Sequence, residues 1–185
     1  MIDIRLFDSK ENFGFSKVYT IKIIRIKKAN ELKKLDNELN IVEGGMFNRK
    51  ILENRKVDVL VSPEKIAKND YLHYRNSGLN HVLCKLAKKN NIAIGLNFND
   101  VLHSKGEERA RLLGRMMQNV RLCRKYRIMM IFASFARNFY DMRYANDLLS
   151  FGVVLGMNYG EAKGALLNIE RIIKERDFQE GIKEV

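Results

Sequence analysis

The sequence of 185 residues and 21.6 kDa favours a single domain, because domains usually run to roughly 100 to 200 residues. Apolar residues make up 46% and charged residues 30%, a balance that excludes a disordered chain and predicts a substantial core. Lysine and arginine number 34 against 22 acidic residues, and the net charge of +12 indicates a polyanion or an anionic membrane surface as partner.

The sequence shows no membrane or export signal. The longest nearly pure apolar stretch, residues 128–136, is about half as long as a bilayer span requires. The first residues alternate charged with apolar side chains and lack the basic-then-apolar order of a secretory signal. Cys84 and Cys123 form no CxxC pair, which fits a reducing compartment better than a disulfide framework or a zinc ribbon. We therefore expect a cytoplasmic protein that does not bind membranes.

Nearly all of the excess charge lies in two short segments. Residues 102–127 hold eight basic residues against two acidic ones, and residues 22–34 hold six against one. Clustered cations are typical of nucleic-acid-binding surfaces, although a solvated surface that binds nothing gives the same composition.

Apolar, β-rich runs recur along the chain and predict strands. In order they are residues 2–6, 18–26, 40–43, 57–61, 92–98, 128–133 and 152–157. Most of these runs lack polar alternation, which predicts strands that are covered on both faces, as in parallel sheets.

Helical patterns lie between the runs. Residues 80–89 place apolar side chains on one face and lysines toward the end. The longest pattern begins at Ser104, where Ser104 and Glu107 fit a capping box. Its apolar face is expected to pack against the core, with Arg111, Arg115 and Arg121 on the opposite, exposed side. A further helix is predicted after Gly160, and about residues 176–185 are expected to fray.

This alternation of strands and helices predicts an α/β fold with a parallel sheet, in one domain that spans residues 1–185. A compact (β/α) barrel with some helices reduced to turns fits the pattern. An open doubly wound sheet fits it as well.

No motif for catalysis or nucleotide binding stands out. The GxGxxG and GxxxxGK[ST] spacings are missing, and His73, His81 and His103 form no HxH, HxxxH or HExxH pattern. Asp3 and Arg5 lie on the first predicted strand, where metal-dependent barrel hydrolases often carry paired histidines, and an arginine cannot ligate a metal. We therefore predict neither catalytic residues nor a metal site in this chain.

Three blocks of the sequence resemble a known family. They are residues 57–63 (VDVLVSP), residues 78–87 (GLNHVLCKLA) running on to 92–98 (IAIGLNF), and residues 141–157 (DMRYANDLLSFGVVLGM). In this order and spacing the blocks resemble ribonuclease P protein component 3, the archaeal counterpart of a eukaryotic subunit shared by ribonucleases P and MRP. The resemblance spans nearly the whole chain and is weakest between residues 7 and 46.

The resemblance implies a TIM-barrel-like fold, compact and somewhat irregular, that is related to the PHP-type metal-dependent hydrolases but lacks their metal ligands. It implies a noncatalytic, RNA-binding subunit of ribonuclease P, whose RNA acts with Mg²⁺ to remove the 5′ leader from precursor tRNA. The implied partners are the ribonuclease P RNA, precursor tRNA indirectly, other ribonuclease P proteins, and component 2 in a two-plus-two heterotetramer. No cofactor is implied for the chain itself. The alternative is a metal-dependent phosphoester hydrolase of the PHP-like barrel type, which fold analogy alone favours.

Binding of structured RNA needs distributed lysines and arginines, because RNA is recognised mainly through phosphates, 2′-hydroxyls and shape. The basic positions that match the family are Arg75, His81, Lys85, Lys89, Lys125, Arg143 and Lys163. The long helix adds Arg111 and Arg115. We also expect Asp147 to pair with Arg143, four residues earlier in a short helix, and to orient it toward a phosphate or a partner carboxylate.

Overall fold

Parallel strands form the frame of the molecule. The computed structural model describes residues 1–36, 39–66 and 69–183, with residues 177–183 as backbone only. Within these residues the strands are β1 (Ile2–Arg5), β2 (Lys17–Thr20), β3 (Ile23–Ile24), β4 (Ile41–Glu43), β5 (Val59–Val61), β6 (Ala93–Asn97) and β7 (Met130–Ala133). Strands β3 to β7 form a five-stranded sheet in sequence order, and β1 pairs with β2. Each of these pairings is parallel.

Two junctions connect the sheets. Past the end of β7, the Phe135 amide donates to the Ile4 carbonyl (2.9 Å), and the Leu6 amide donates to the Ala136 carbonyl (2.8 Å). On the other side, only two residues separate β2 from β3. This is the strand order of a (β/α) barrel, without the reversal that a doubly wound sheet requires. The expected α/β, TIM-barrel-like fold is confirmed in an irregular form, whose two sheets do not merge into one closed sheet.

Helices cover the strands and fill the crossover connections. They are α1 (Asn48–Glu53), α2 (His81–Lys89), α3 (Phe98–His103), α4 (Gly106–Tyr126), α5 (Ala145–Val154), α6 (Tyr159–Ala165) and α7 (Asn168–Lys183), with 3-10 helices at Ala29–Lys34, Pro63–Ile66 and Phe139–Asp141. Among the described residues, no helix has the length and apolar character needed to cross a membrane.

Apolar side chains form two layers on opposite faces of the strands. One layer joins β1, β4, β5, β6 and β7 to α7, through residues that include Ile2, Ile41, Val59, Ile131 and Ile169. The other packs the alternate strand positions, among them Val42, Leu60, Ile94, Leu96 and Phe132, against the surrounding helices. Burial on both faces explains why the strands show no polar alternation in the sequence.

The start of α7 lies against the amino-terminal ends of β1 and β7. The Ile2 amide donates to the Leu166 carbonyl (3.0 Å), and the Asn168 side chain donates to the Met130 carbonyl (2.8 Å). The carboxyl-terminal ends of the strands face the opposite side, where polar loops meet. The barrel therefore has two chemically different ends.

The predicted strand at residues 152–157 is wrong. This apolar run is instead the end of α5 followed by a turn, in which Gly156 has φ +95°. Gly152 lies so close to α6 that a Cβ there would come within 2.9 Å of the Ala162 Cβ, so the run is apolar because two helices pack tightly.

Two further local predictions are also wrong. The run at 18–26 divides into β2 and β3, which belong to different sheets. The capping box at Ser104 does not form, because the Ser104 hydroxyl donates to the Val101 carbonyl (3.0 Å) at the end of α3, while α4 begins at Gly106 without a side-chain cap. The other predicted strands and the helix at 80–89 are confirmed. Helix α7 continues through Lys183, residues 184 and 185 lie outside the described residues, and the fraying expected at about residues 176–185 stays a prediction.

Candidate nucleic-acid interface

Helix α2 presents a row of basic side chains to solvent. The Asn80 side chain starts the helix by accepting from the Val82 and Leu83 amides, both at 3.0 Å. Cys84 and Ala87 are buried, which leaves the opposite face of the helix exposed. The exposed basic residues are His81, Lys85, Lys88 and Lys89, of which the first, second and last are spaced four apart and form a stripe.

Helix α4 packs against α2 and carries further exposed cations. Arg121 and Lys125 are exposed and lie four residues apart, as the sequence predicted. Arg124 is exposed as well, but its guanidinium is held by Glu161 of α6 at 2.6 Å. Because Arg124 is engaged by Glu161, Arg121 and Lys125 are the exposed cations in this part of α4 that can reach a phosphate.

Arg115 does not belong to the exposed face, and its predicted placement there is wrong. Its side chain is 5% exposed; Nε pairs with Asp70 at 2.6 Å and Nη1 donates to the Glu64 carbonyl at 3.0 Å. Burial acts to raise the pKa of Asp70, but the Asn76 amide and Arg115 outweigh it and hold that pKa below its ordinary value. Arg115 therefore anchors a loop to α4 and does not face RNA.

A basic cleft opens at the amino-terminal end of the barrel, where α2 and α4 end. Its volume is about 340 Å³, and its lining includes Lys88, Arg127, Arg171, Asn91 and Asn168 but no acidic residue among those whose side chains the structure describes. Arg127 ends α4 in the left-handed region, with φ +54°. Arg171 pairs with Glu175 at 2.8 Å, whereas Lys88 and Arg127 form no side-chain hydrogen bond or ion pair within the described part of the chain. A phosphate group fits this charge pattern.

The remaining predicted positions are dispersed. Arg75 is exposed and lies over Gly114 of α4, where a Cβ would come within 2.7 Å of the Arg75 Nε. Arg111 is half-buried and donates to Asn69 at 3.4 Å. Lys163 is exposed on α6. These residues thus lie on other elements than the α2 stripe.

The predicted pairing of Arg143 with Asp147 is wrong. Arg143 precedes α5, which begins at Ala145, so the two residues do not share a helix. The Arg143 guanidinium donates to the carbonyls of Tyr140 (2.9 Å) and Met142 (2.6 Å). Asp147 is exposed in the first turn of α5.

Paired charges lie at the carboxyl-terminal mouth of the barrel. Lys65 bridges Glu43 and Asp100, at 2.9 Å from each. Burial acts to lower the pKa of Lys65, but Asp100 and Glu43 outweigh it and raise that pKa above its ordinary value. A cavity of about 730 Å³ lies beside this bridge, and its lining includes Lys65, Arg111 and Arg137.

The described residues contain no group of three or more His, Cys, Asp or Glu side chains placed to hold a metal ion. Asp3 is fully buried, pairs with Arg5 at 3.0 Å, and accepts from the Ser134 amide (2.8 Å) and hydroxyl (2.7 Å). The carboxylate on the first strand is thus satisfied within the protein.

Comparison with known proteins gives the family. A family model described as RNase P subunit p30 matches residues 15–179. The chain belongs to this family. Ribonuclease P protein component 3 of Methanosarcina mazei is 38% identical over 138 residues, which cover 73% of this chain and 54% of that protein. Its counterpart in Methanococcus maripaludis is 36% identical over 149 residues, which cover 76% of this chain and 61% of that protein. The resemblance seen in the three sequence blocks is confirmed.

A solved structure also matches this p30 family chain. A chain of an archaeal ribonuclease P, determined by cryo-EM with mature tRNA, superposes with a TM-score of 0.77 at 27% identity and covers 96% of this chain and 92% of that one. The chain spans only about half of the curated relatives from Methanosarcina and somewhat more of those from Methanococcus.

Sequence reasoning on this p30 family chain missed Lys88, Arg127 and Arg171 as a group. Lys88 and Arg127 sit at the ends of α2 and α4, and each helix leads through a short connection into one of the neighbouring strands β6 and β7. Because parallel neighbours start at the same edge of a sheet, the two basic helix ends had to meet there. The meeting of Lys88 and Arg127 could therefore have been predicted from the sequence. The position of Arg171 could not, because it depends on where α7 packs.

Proposed function

We propose that the chain is an RNA-binding protein subunit of ribonuclease P, the ribonucleoprotein that removes the 5′ leader from precursor tRNA. The RNA performs the cleavage with Mg²⁺, and this chain supports the folded RNA. Membership in the p30 family and the match to a chain of an archaeal ribonuclease P support this proposal over a metal-dependent phosphoester hydrolase.

The cationic surface formed by α2, α4 and the cleft at their ends carries the proposal. Lys85, Lys89, Arg121 and Lys125 are exposed, and Lys88 and Arg127 line a cleft in which the described side chains include no acidic group. Cations spread over a surface of this kind neutralise phosphates and release counterions, which supplies affinity for structured RNA without reading its sequence. Neutralised phosphates repel one another less, so the RNA needs less Mg²⁺ to fold.

The proposed partners follow from the same family. They are the ribonuclease P RNA, precursor tRNA through that RNA, and other ribonuclease P proteins, with component 2 as the direct protein partner in a two-plus-two heterotetramer. We place the particle in the cytoplasm, because Cys84 and Cys123 are both free and buried, as is typical of proteins from a reducing compartment.

The proposal is tested by purifying the tagged chain with its bound molecules from extract of its own cells, then sequencing the RNA. The expected result is enrichment of one structured RNA that cleaves precursor tRNA when supplied with Mg²⁺. Recovery of the chain free of RNA at low salt, or with random RNA fragments only, would contradict the proposal.

A further inference from the structure

An exposed aromatic cluster lies at the carboxyl-terminal mouth of the barrel, the end opposite the basic cleft. Phe139, Tyr140 and Tyr144 are 53%, 86% and 60% exposed. Phe13 lies among them, with its ring 5.8 Å from Phe139 and 5.0 Å from Tyr144, both edge to face. Grouped exposed aromatic rings on a soluble surface mark an interaction site more often than chance exposure does.

The loop that carries these rings is fixed from below by Asp141, which is buried. The Asp141 carboxylate accepts from the Arg137 amide (3.1 Å) and the Asn138 side chain (3.1 Å), and it contacts His103 Nε2 at 2.8 Å. Burial acts to raise the pKa of Asp141, but the Arg137 amide, His103 and Asn99 outweigh it and lower that pKa. The loop that carries the rings is therefore held in place, so ordering its backbone costs little entropy when a partner binds.

Arginines accompany the rings. Arg137 is exposed, lines the 730 Å³ cavity, and forms no side-chain hydrogen bond or ion pair within the described residues. Arg143 donates to the Tyr140 carbonyl and lies over the Phe98 ring at 5.9 Å. The acidic groups nearby are Glu64, Asp100 and Glu108 in the cavity lining and the exposed Asp147 on α5; Glu64 is fully buried, and Asp100 is already paired with Lys65.

We propose that this aromatic cluster binds unpaired RNA nucleotides, whose bases stack on Phe139, Tyr140 and Tyr144 while their phosphates contact Arg137 and Arg143. The inference rests on the proposed function, and it adds a single-strand site to the phosphate-binding surface at the other end of the barrel. Open aromatic faces combined with arginines are the usual means of holding single-stranded RNA. The exposed apolar residues at the far end of α5, Val153 and Val154, are aliphatic by contrast, as suits a protein contact.

Fluorescence anisotropy with the full chain tests this site. The probes are a labelled oligouridylate of about 12 nucleotides, within the usual range of single-strand sites, and an RNA duplex of the same length. Tyr140→Ala and Tyr144→Ala are each expected to weaken oligouridylate binding by about fivefold or more, because stacking on a ring is lost. Both should leave duplex binding nearly unchanged. Tyr140→Phe keeps the ring and should bind as the wild type does.

Tyr159→Ala is the matched control and should bind oligouridylate as the wild type does. Tyr159 is 63% exposed but lies past the carboxyl-terminal end of α5, whereas the aromatic cluster lies at its amino-terminal end. A second readout is independent of substitutions: oligonucleotides that carry 4-thiouridine should crosslink to the peptide of residues 137–144 under ultraviolet light. Unchanged oligouridylate affinity in both tyrosine variants would overturn the proposal. The proposal would also be overturned if the tyrosine variants kept this affinity but no longer co-purified with a protein that binds the wild-type chain. The cluster would then be a protein-docking surface.

This failure is distinguishable from failure of the proposed function. If the wild-type chain still recovers its structured RNA from cells while the tyrosine variants bind oligouridylate normally, only the single-strand site is wrong. If the chain recovers no such RNA, the proposed function itself is wrong.

Discussion

Arg115 of the basic helix α4 belongs to a buried polar network that stabilises the fold. Arg115 reaches the Glu64 carbonyl and Asp70, and one turn later on α4 the Asn119 side chain donates to Glu64 Oε2 at 3.1 Å and to the Ser77 carbonyl at 3.0 Å. These bonds tie α4 to the 3-10 helix after β5 and to the loop before α2. Removal of one member leaves its partners desolvated, which costs more than the bond itself contributes.

Arg115→Ala is expected to lower the free energy of unfolding by about 2 to 4 kcal/mol, because it leaves Asp70 and a buried carbonyl without their guanidinium. Arg121→Ala, on the exposed face of the same helix, should change it by less than about 0.5 kcal/mol. Urea denaturation of both variants measures the difference. Equal stability of the two would mean that Arg115 is not a structural residue.

Glu64 should make stability depend on pH. Burial raises the pKa of Glu64 from 4.5 to about 8, so between these values the folded state holds a proton that the unfolded state has lost. Stability therefore falls as pH rises from about 4.5 to 8, by at most about 1.4 kcal/mol per pH unit from this group. Glu64→Gln, which cannot ionise, should flatten this fall in melting curves recorded from pH 5 to 8. An unchanged slope would assign the effect to other groups.

At the level of helices and strands, the sequence predicted side-chain positions that depend on one element. It missed positions that depend on how several elements pack together. His81, Lys85 and Lys89 lie on one helix, so their spacing alone placed them on one exposed stripe. Arg143 and Asp147 show the opposite case: the four-residue spacing suggested a pair, but the helix starts between them at Ala145. Arg115 was misplaced because the loop at Asp70 covers that part of α4, which no local pattern reveals.

Gly78, just before α2, is required by a close approach of two backbones. Its φ is +76°, and a Cβ there would lie 1.8 Å from the Pro63 carbonyl oxygen. Asn48 fixes the same junction by donating to the carbonyls of Pro63 and Gly78, both at 3.1 Å. Gly78→Ala should therefore destabilise the protein by at least about 2 kcal/mol.

Gly164→Ala is the control for this prediction. A Cβ at Gly164, inside α6, meets nothing within 4 Å, so alanine there should raise stability by about 0.5 to 1 kcal/mol through better helix propensity. Thermal melts of the two alanine variants should therefore move in opposite directions. A shift in the same direction would show that the Pro63 contact does not constrain Gly78.

The cleft between the ends of α2 and α4 should contribute to the salt dependence of RNA binding. Lys88→Ala combined with Arg127→Ala is expected to make the log–log slope of affinity against salt shallower by about 1 to 2, since each lost phosphate contact removes about 0.7 to 0.9. Arg25→Ala combined with Arg49→Ala removes the same charge from residues that are paired with Glu43 and Glu53, and should change the slope less. Equal changes of slope in the two double variants would mean that the salt dependence of RNA binding reflects only the net charge of the protein.

For the whole molecule, the two proposals give the ends of the barrel separate tasks. Under the proposed function the cations of α2, α4 and the amino-terminal cleft bind RNA phosphates, and under the further inference the carboxyl-terminal mouth binds unpaired nucleotides. The mouth, where barrel enzymes carry their catalytic groups, contains paired charges such as Lys65 with Glu43 and Asp100. This arrangement suits the proposed function, in which the barrel supports surface charges and rings and the RNA performs the cleavage.

The central claim is tested most directly by cleavage of precursor tRNA in a particle reconstituted from the ribonuclease P RNA and its proteins, with and without this chain, across a range of Mg²⁺ concentrations. Adding the chain is expected to lower the Mg²⁺ concentration needed for half-maximal cleavage, and the chain without RNA is expected to release no 5′ leader. Cleavage by the RNA-free chain, or a Mg²⁺ requirement that is the same with and without the chain, would contradict the proposed function.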